Sequence, residues 1–231
     1  MRLAPQFVTL LFSLVFLCLA APGISAQQHK IKLDELINDS QKFSPDISRV
    51  SFAWWLSEEF WDESLKLESK ISEHDRIEFL KFVKPYHVFV VADGRIAATG
   101  TVTYRPEPEL RKLIQLVDIA GNIYTPIPDT GMPIAVKTVL SVMKPIFSNA
   151  LGQLGQNFNF YVFPALDKQG KPFIEAKKEG KFVLKMGDDT FQWKLPLPSL
   201  VPAKVCPVDG EELNGAWKFC PWHGERLKAK P

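Results

Sequence analysis

The apolar positions of this chain change period along its length, and the changes mark out its elements. From 51 to 71, Phe52, Trp54, Trp55, Leu56, Phe60 and Trp61 recur at short spacings, joined by Leu65 and Leu67. Steps of three and four are those of a helix that buries one face. Ser72 with Asp75 three residues on resembles a capping box and predicts a second helix to about Val83. Lys84-Pro85 ends it, because the proline ring disfavours helical geometry in the residue before it. The expectation is an N-terminal helical pair, preceded by a polar lead-in over 27–50 with a turn or two of helix at Lys32 to Ile37.

After Pro85 the period shortens. Tyr86 to Val91 is aromatic and β-branched, Ala92-Asp93-Gly94-Arg95 reads as a hairpin turn, and Ile96 to Tyr104 returns as a strand with a bulge at Gly100. A second hairpin joins Leu113 to Ile119 with Asn122 to Ile127 through Ala120-Gly121. A third joins Phe158 to Phe163 with Pro172 to Ala176 through 167–170, and a fourth joins Lys181 to Met186 with Thr190 to Leu195 through 187–189. Eight short strands with regular turns predict an antiparallel β-sandwich-like domain. One helix interrupts them: Val136, Val139, Leu140, Met143 and Phe147 share a face, with Pro145 expected to kink it. Such a helix covers a sheet more readily than it seeks a membrane.

The fold class that follows is α+β, mainly β. A domain over 51–195 combines the helical pair, the antiparallel strands and the covering helix. Three prolines within 196–202 predict an extended linker over 196–205. A short tail, 206–231, closes the chain.

Composition changes the picture at the N-terminus. Arg2 precedes an uncharged apolar run from Phe7 to Ala21, Pro22-Gly23 breaks it, and Ala26 offers a small residue for cleavage. Residues 1–26 therefore read as a signal peptide. The run falls short of the roughly 20 residues a spanning helix needs, so a membrane role requires the signal to be retained as an anchor. The protein is expected to be exported, periplasmic or extracellular, with a mature start near Gln27. Arg2 and Cys18 leave with the signal, so 27 of the 28 basic residues face 26 acidic ones and two of three cysteines remain. Near-neutral charge excludes nucleic acid as the expected partner. A hydrophobic content of 46% with 17 Phe supplies a core without help from the tail.

The tail carries the most specific chemistry. Cys206-Pro207-Val208-Asp209-Gly210 and Cys220-Pro221-Trp222-His223-Gly224 repeat one frame: a thiol, a proline, a second metal-competent side chain and a glycine. Proline and glycine shape a tight turn in which backbone N–H groups face the sulfur. The segment resembles the short bacterial zinc ribbon, in which two C-P-x-C-G knuckles stand about ten residues apart and Lys-Phe often precedes the second, as Lys218-Phe219 does here. The resemblance covers about 20 residues. It implies a metal held by Cys206, Asp209, Cys220 and His223, with Asp209 and His223 at the positions where the family has cysteines. Zinc accepts all three donor types. A disulfide between Cys206 and Cys220 stands beside this reading, because exported thiols tend to pair. Either staple suits a segment too small to hold itself by burial. Trp217 and Trp222 are expected to pack over the staple or dock it on the main domain.

Other constellations point less far. Glu58, Glu59, Asp62 and Glu63 beside Trp54, Trp55 and Trp61 suggest sugar chemistry, but read first as the solvated face of a helix. His29, His74 and His87 form no paired metal motif, and no serine lies in a nucleophile-elbow frame. The sequence thus assigns no catalytic residue. It favours a non-catalytic exported binding or structural protein with a protein or polymer partner. A hydrolase of envelope or extracellular polymer using the carboxylates near the tryptophans is the alternative, and a metal-handling or redox-sensing protein the third.

Overall fold

The computed structural model describes residues 29–230; the signal expected over 1–26 lies outside them. The architecture is α+β with antiparallel sheets. Helix α1 (Leu33–Ser40) leads into β1 (Gln41–Phe43) and β2 (Arg49–Leu56). Helices α2 (Glu58–Lys66) and α3 (Glu73–Val83) follow, each opened by a serine whose hydroxyl accepts a backbone N–H, Ser57 from Phe60 and Ser72 from Asp75. Strand β3 (Tyr86–Ile96) is the spine of the first sheet. It pairs with β2 on one edge, and on the other with β4 (Val102–Tyr104) and β7 (Asn159–Pro164) in succession. A second sheet runs in the order β6 (Ile123–Tyr124), β5 (Ile114–Val117), β8 (Gly180–Met186), β9 (Asp189–Leu195), with α4 (Glu107–Leu113) feeding β5.

The two sheets bury an aromatic layer between them. Trp55 of β2 meets Phe182 edge-on at 4.8 Å, Phe89 of β3 meets Trp193 at 5.7 Å, and Phe182 stacks on Trp193 at 4.9 Å. Alternate residues of β2 point the other way: Trp54 contacts Phe60 of α2 at 5.0 Å and Phe147 of α5 (Ile134–Gln156) at 5.7 Å. Strand β2 is therefore covered by helices on one face and by the second sheet on the other. All of Ser51 to Leu56 is buried. Ser40 ties the layers together: its hydroxyl accepts from the Trp54 indole and donates to the Leu36 carbonyl, and its own carbonyl accepts from the Trp193 indole.

Several expectations change. Residues 49–56 form a strand rather than the start of a helix; a strand buried on both faces is a continuous apolar run, which periodicity alone does not separate from a buried helix. Asp93-Gly94 lies inside β3, and the chain turns at Ala97–Gly100, where the Ala97 N–H donates to the Thr101 carbonyl. Gly94 is needed for room: a Cβ there would stand 2.9 Å from Val102 Cγ1 and 3.0 Å from Tyr104 Cδ1. The break in α5 falls at Gly152, whose φ is 56°, and not at Pro145. The proline-rich segment is packed: Leu197 and Leu200 are buried, the Ser199 N–H donates to Asp39 Oδ2 at 2.7 Å, and His29 Nε2 meets the Ser199 carbonyl at 2.9 Å.

Of the four anticipated hairpins, the second and fourth form as read, by β5–β6 and β8–β9. The third keeps β7 and its turn, where Asp167 accepts from the Gln169 and Lys171 N–H groups, but 172–176 contributes only the Leu166–Pro172 bridge. Helix α5 buries Val136 and Leu140 against the body and leaves Ile134, Val142 and Ile146 exposed. It is long and apolar enough to cross a membrane by length and composition alone.

Candidate metal centre

The tail folds as a three-stranded ribbon, β10 (Lys204–Val205) between β11 (Glu212–Leu213) and β12 (Lys228–Ala229). Both knuckles carry the same bonds. The Cys206 N–H donates to the Glu211 carbonyl and the Gly210 N–H to the Cys206 carbonyl; the Cys220 N–H donates to Glu225 and the Gly224 N–H to Cys220. Gly210 and Gly224 sit at φ +77° and +69°, so the closing glycine of each frame is required by backbone conformation. Within the second turn the His223 N–H points at Cys220 Sγ, 3.4 Å away.

These turns bring the thiols together. Cys206 and Cys220 are buried and carry free thiols. His223 Nδ1 lies 3.4 Å from Cys206 Sγ and 3.5 Å from Cys220 Sγ. The three ligand atoms fall within 4.8 Å of one another, and this group can hold a metal ion. Asp209 stands at the rim, its Oδ2 3.7 Å from His223 Nδ1. Thus the four residues singled out by spacing converge, three tightly and Asp209 more loosely. The electrostatics prepare a thiolate unevenly. Burial pushes both thiols up. For Cys220 the N–H groups of His223 and Trp222 and the His223 ring outweigh it and the net direction is down, whereas Cys206 stays raised. Asp209 is held below the usual carboxylate range by the Glu211 N–H and by the Cys206 thiol.

Of the tail's two tryptophans, Trp217 lines a cleft with Lys42, Trp193 and Leu195 of the body, whereas Trp222 stands largely clear. Trp217 is 44% exposed, Phe219 58% and Trp222 72%. The ribbon's own core is Cys206, Cys220 and Leu227, with Leu213 against it. Its ties to the body include the Lys218–Glu179 ion pair at 2.8 Å.

The acidic cluster near the tryptophans disperses into ion pairs. Asp62 and Glu63 each meet Lys66 at 2.7 Å, and Asp62 also pairs with Arg76. Trp54, Trp55 and Trp61 are buried. Sequence reasoning missed a buried charge cluster: Asp93 binds Arg49 at 2.8 Å and Arg105 at 2.6 Å, and Arg49 reaches Asp189 of β9 at 3.0 Å. Burial pushes the Asp93 carboxyl up, but the two guanidinium hydrogen bonds overcome it and hold it below its ordinary value. Only β-pairing reveals this cluster, since the Asp-Gly signal had assigned Asp93 to a turn. Set against known proteins, the chain matches no family model, no curated protein and no solved structure.

Proposed function

We propose that the protein is an exported, non-catalytic binding protein whose C-terminal ribbon is stapled by zinc and presents aromatic side chains to a protein or polymer partner. One observation carries the zinc reading: His223 Nδ1 is nearly equidistant from two buried thiols, at 3.4 and 3.5 Å. With zinc–sulfur bonds near 2.3 Å and zinc–nitrogen bonds near 2.0 Å, a tetrahedral site places sulfur and nitrogen about 3.5 Å apart. The residues present therefore fit the ion. Cys206, Cys220 and His223 supply three ligands and Asp209 is the fourth. Four protein ligands leave no open position, which is the pattern of a structural site rather than a catalytic one. The export reading rests on the apolar run Phe7 to Ala21 and its Pro-Gly break.

A structural role for the ion explains the exposed aromatics. Zinc frees the ribbon from burying Trp217, Phe219 and Trp222 in a core of its own, so they stand at its surface. Large aromatic side chains dominate the energetics of binding surfaces. Native and denaturing mass spectrometry of the purified mature chain tests this. The native spectrum should show one zinc per chain and the denatured one two reduced thiols, with a start near Gln27. A metal-free chain lighter by two hydrogens would establish the disulfide instead and remove the zinc reading.

A further inference from the structure

Helix α5 covers the body with one narrow face and leaves another apolar face bare. Val136 and Leu140 are buried, and Val139, Met143 and Phe147 pack against the same core. Away from them, Ile134, Thr138, Val142 and Ile146 follow one another at steps of four, which on a helix makes a single ridge. Ile134 is 82% exposed, Val142 59% and Ile146 58%. A contiguous exposed apolar patch marks an interaction or membrane site. The hydroxyls of the helix are turned onto its own backbone. Thr138 donates to the Ile134 carbonyl at 3.0 Å, Ser141 to Thr138 at 2.8 Å and Ser148 to Lys144 at 3.0 Å. Such back-bonding satisfies a hydroxyl without water, which suits a helix that faces an apolar medium.

Charge says what covers the ridge. No aspartate or glutamate occurs between Asp129 and Asp167, and Lys137 and Lys144 are the only charged residues in that stretch. Lys137 lies three residues from Ile134 and so borders the ridge; Lys144 stands two turns further along the same side. Both line an open groove of about 1010 Å³ between α5, α4 and β7, whose apolar lining includes Leu140, Phe158 and Phe160. The two carboxylates of this groove, Glu107 and Asp129, are both taken by Arg111, at 2.7 and 3.1 Å. Lys137 and Lys144 form no ion pair among the described residues. A second copy of this chain does not complement such a face, since a two-fold pairing of α5 brings the same two lysines and no carboxylate. An anionic bilayer supplies both halves: acyl chains for the ridge, and phosphates for ammoniums on long stems that reach the headgroups. The helix would lie along that surface and not cross it, because its inner face is already packed on the body.

We propose that α5 docks the protein on an anionic lipid surface, with Ile134, Val142 and Ile146 seated among the acyl chains and Lys137 and Lys144 on lipid phosphates. The site is remote in sequence from the metal centre and does not depend on the zinc reading. Flotation of the full mature chain from Gln27 with lipid vesicles tests it, because that chain lacks the apolar run Phe7 to Ala21. One vesicle preparation is phosphatidylcholine alone; the other is phosphatidylcholine and phosphatidylglycerol in equal parts. The chain should float with the mixed vesicles, far less with phosphatidylcholine alone, and less as salt is raised. Lys137→Gln with Lys144→Gln should weaken binding to the mixed vesicles about thirtyfold, roughly fivefold for each lysine at an anionic surface. Val142→Asp with Ile146→Asp, both at exposed positions, should abolish flotation at an unchanged denaturation midpoint. Ile119→Asp, an equally exposed apolar position on the β5–β6 turn, should change nothing. Should the aspartate pair fail to fold, the lysine pair carries the test. The proposal is overturned if the chain does not float with the mixed vesicles, if phosphatidylcholine alone serves equally well, or if binding survives the folded variants unchanged. A lipid-free dimer that the aspartate pair dissolves, in a chain that ignores vesicles, would assign the ridge to a second copy instead.

Discussion

The body and the tail of this chain differ in how much core each has to hold it. The body is a continuous aromatic and aliphatic core between two sheets and a helical layer, with Trp55, Phe89, Phe182 and Trp193 at its centre. The ribbon has Cys206, Cys220 and Leu227. Burial at about 25 cal/mol per Å² stabilises a large domain and cannot stabilise so small a piece alone. On the proposed zinc reading, the ribbon concentrates its stability in a few donor atoms around His223 Nδ1. The difference teaches where each region is vulnerable: the body through volume, the tail through its donor atoms.

The body's dependence on volume gives the largest expected effect. Trp55→Ala empties space between β2 and the second sheet and should cost about 3–5 kcal/mol. Chemical denaturation should show loss of most or all of the cooperative transition. A midpoint within error of wild type would mean that the layer between the sheets is not the body's main support. Next comes the buried charge cluster that fastens β2, β3 and β9. Asp93→Ala leaves Arg49 and Arg105 without their shared partner and should cost about 3 kcal/mol, since breaking a buried pair strands the surviving charge. Asp93→Ala with Arg49→Met should recover part of that loss in the same assay. Failure to recover any would show that the cluster acts through more than charge.

The tail was legible in the sequence and much of the body was not, for the same reason. Each knuckle is local: Cys206 and Gly210, or Cys220 and Gly224, fix a turn by residues within one short frame, and the repeat announces that two such turns belong together. The turns at Gly121 and Gly187 were legible on that local basis too. Strand β2 was not, because Phe52 and Trp54 face the helices while Ala53 and Trp55 face the second sheet, and double burial erases the alternation that distinguishes a strand. Asp93-Gly94 misled because its ordinary use in hairpins depends on local freedom, which Arg49, Arg105 and the β4 side chains remove. The groove beside α5 depends on segments from α4, β7 and α5 meeting in space, and no local pattern carries that. The exposure of Trp217 and Trp222 was equally hidden, since apolar composition alone reads as burial.

His87 gives the body a pH signature of its own. Its pKa is about 3 in the folded chain against an ordinary value of 6.5, because burial disfavours the imidazolium. The unfolded state therefore takes up a proton that the folded state refuses. Stability is intact above about pH 6.5 and falls as pH drops toward about 3, with a slope of up to about 1.4 kcal/mol per pH unit from this one group. Denaturation midpoints measured across that window should show the slope in wild type and lose it in His87→Phe. An unchanged slope in the variant would assign the acid sensitivity to other groups.

The smallest effect on the body, and the sharpest test of the contrast, comes from the tail's donor atoms. His223→Ala removes the nitrogen that lies between the two thiols. It lies outside the body's core, so the body's transition should move by no more than about 0.5 kcal/mol. The ribbon should respond far more strongly. Zinc content should fall sharply, and protease should cut between 206 and 230 at a rate that a chelator reproduces in wild type. Acid should do the same, since binding requires both thiols deprotonated and the imidazole neutral. A disulfide between Cys206 and Cys220 predicts the opposite pattern: His223→Ala and chelator without effect, and a reductant opening the ribbon. Replacing both cysteines by serine separates either staple from simple packing. If the double variant keeps its tail protected, then Leu213 and Leu227 hold the ribbon without any staple, and the two regions differ in size but not in kind.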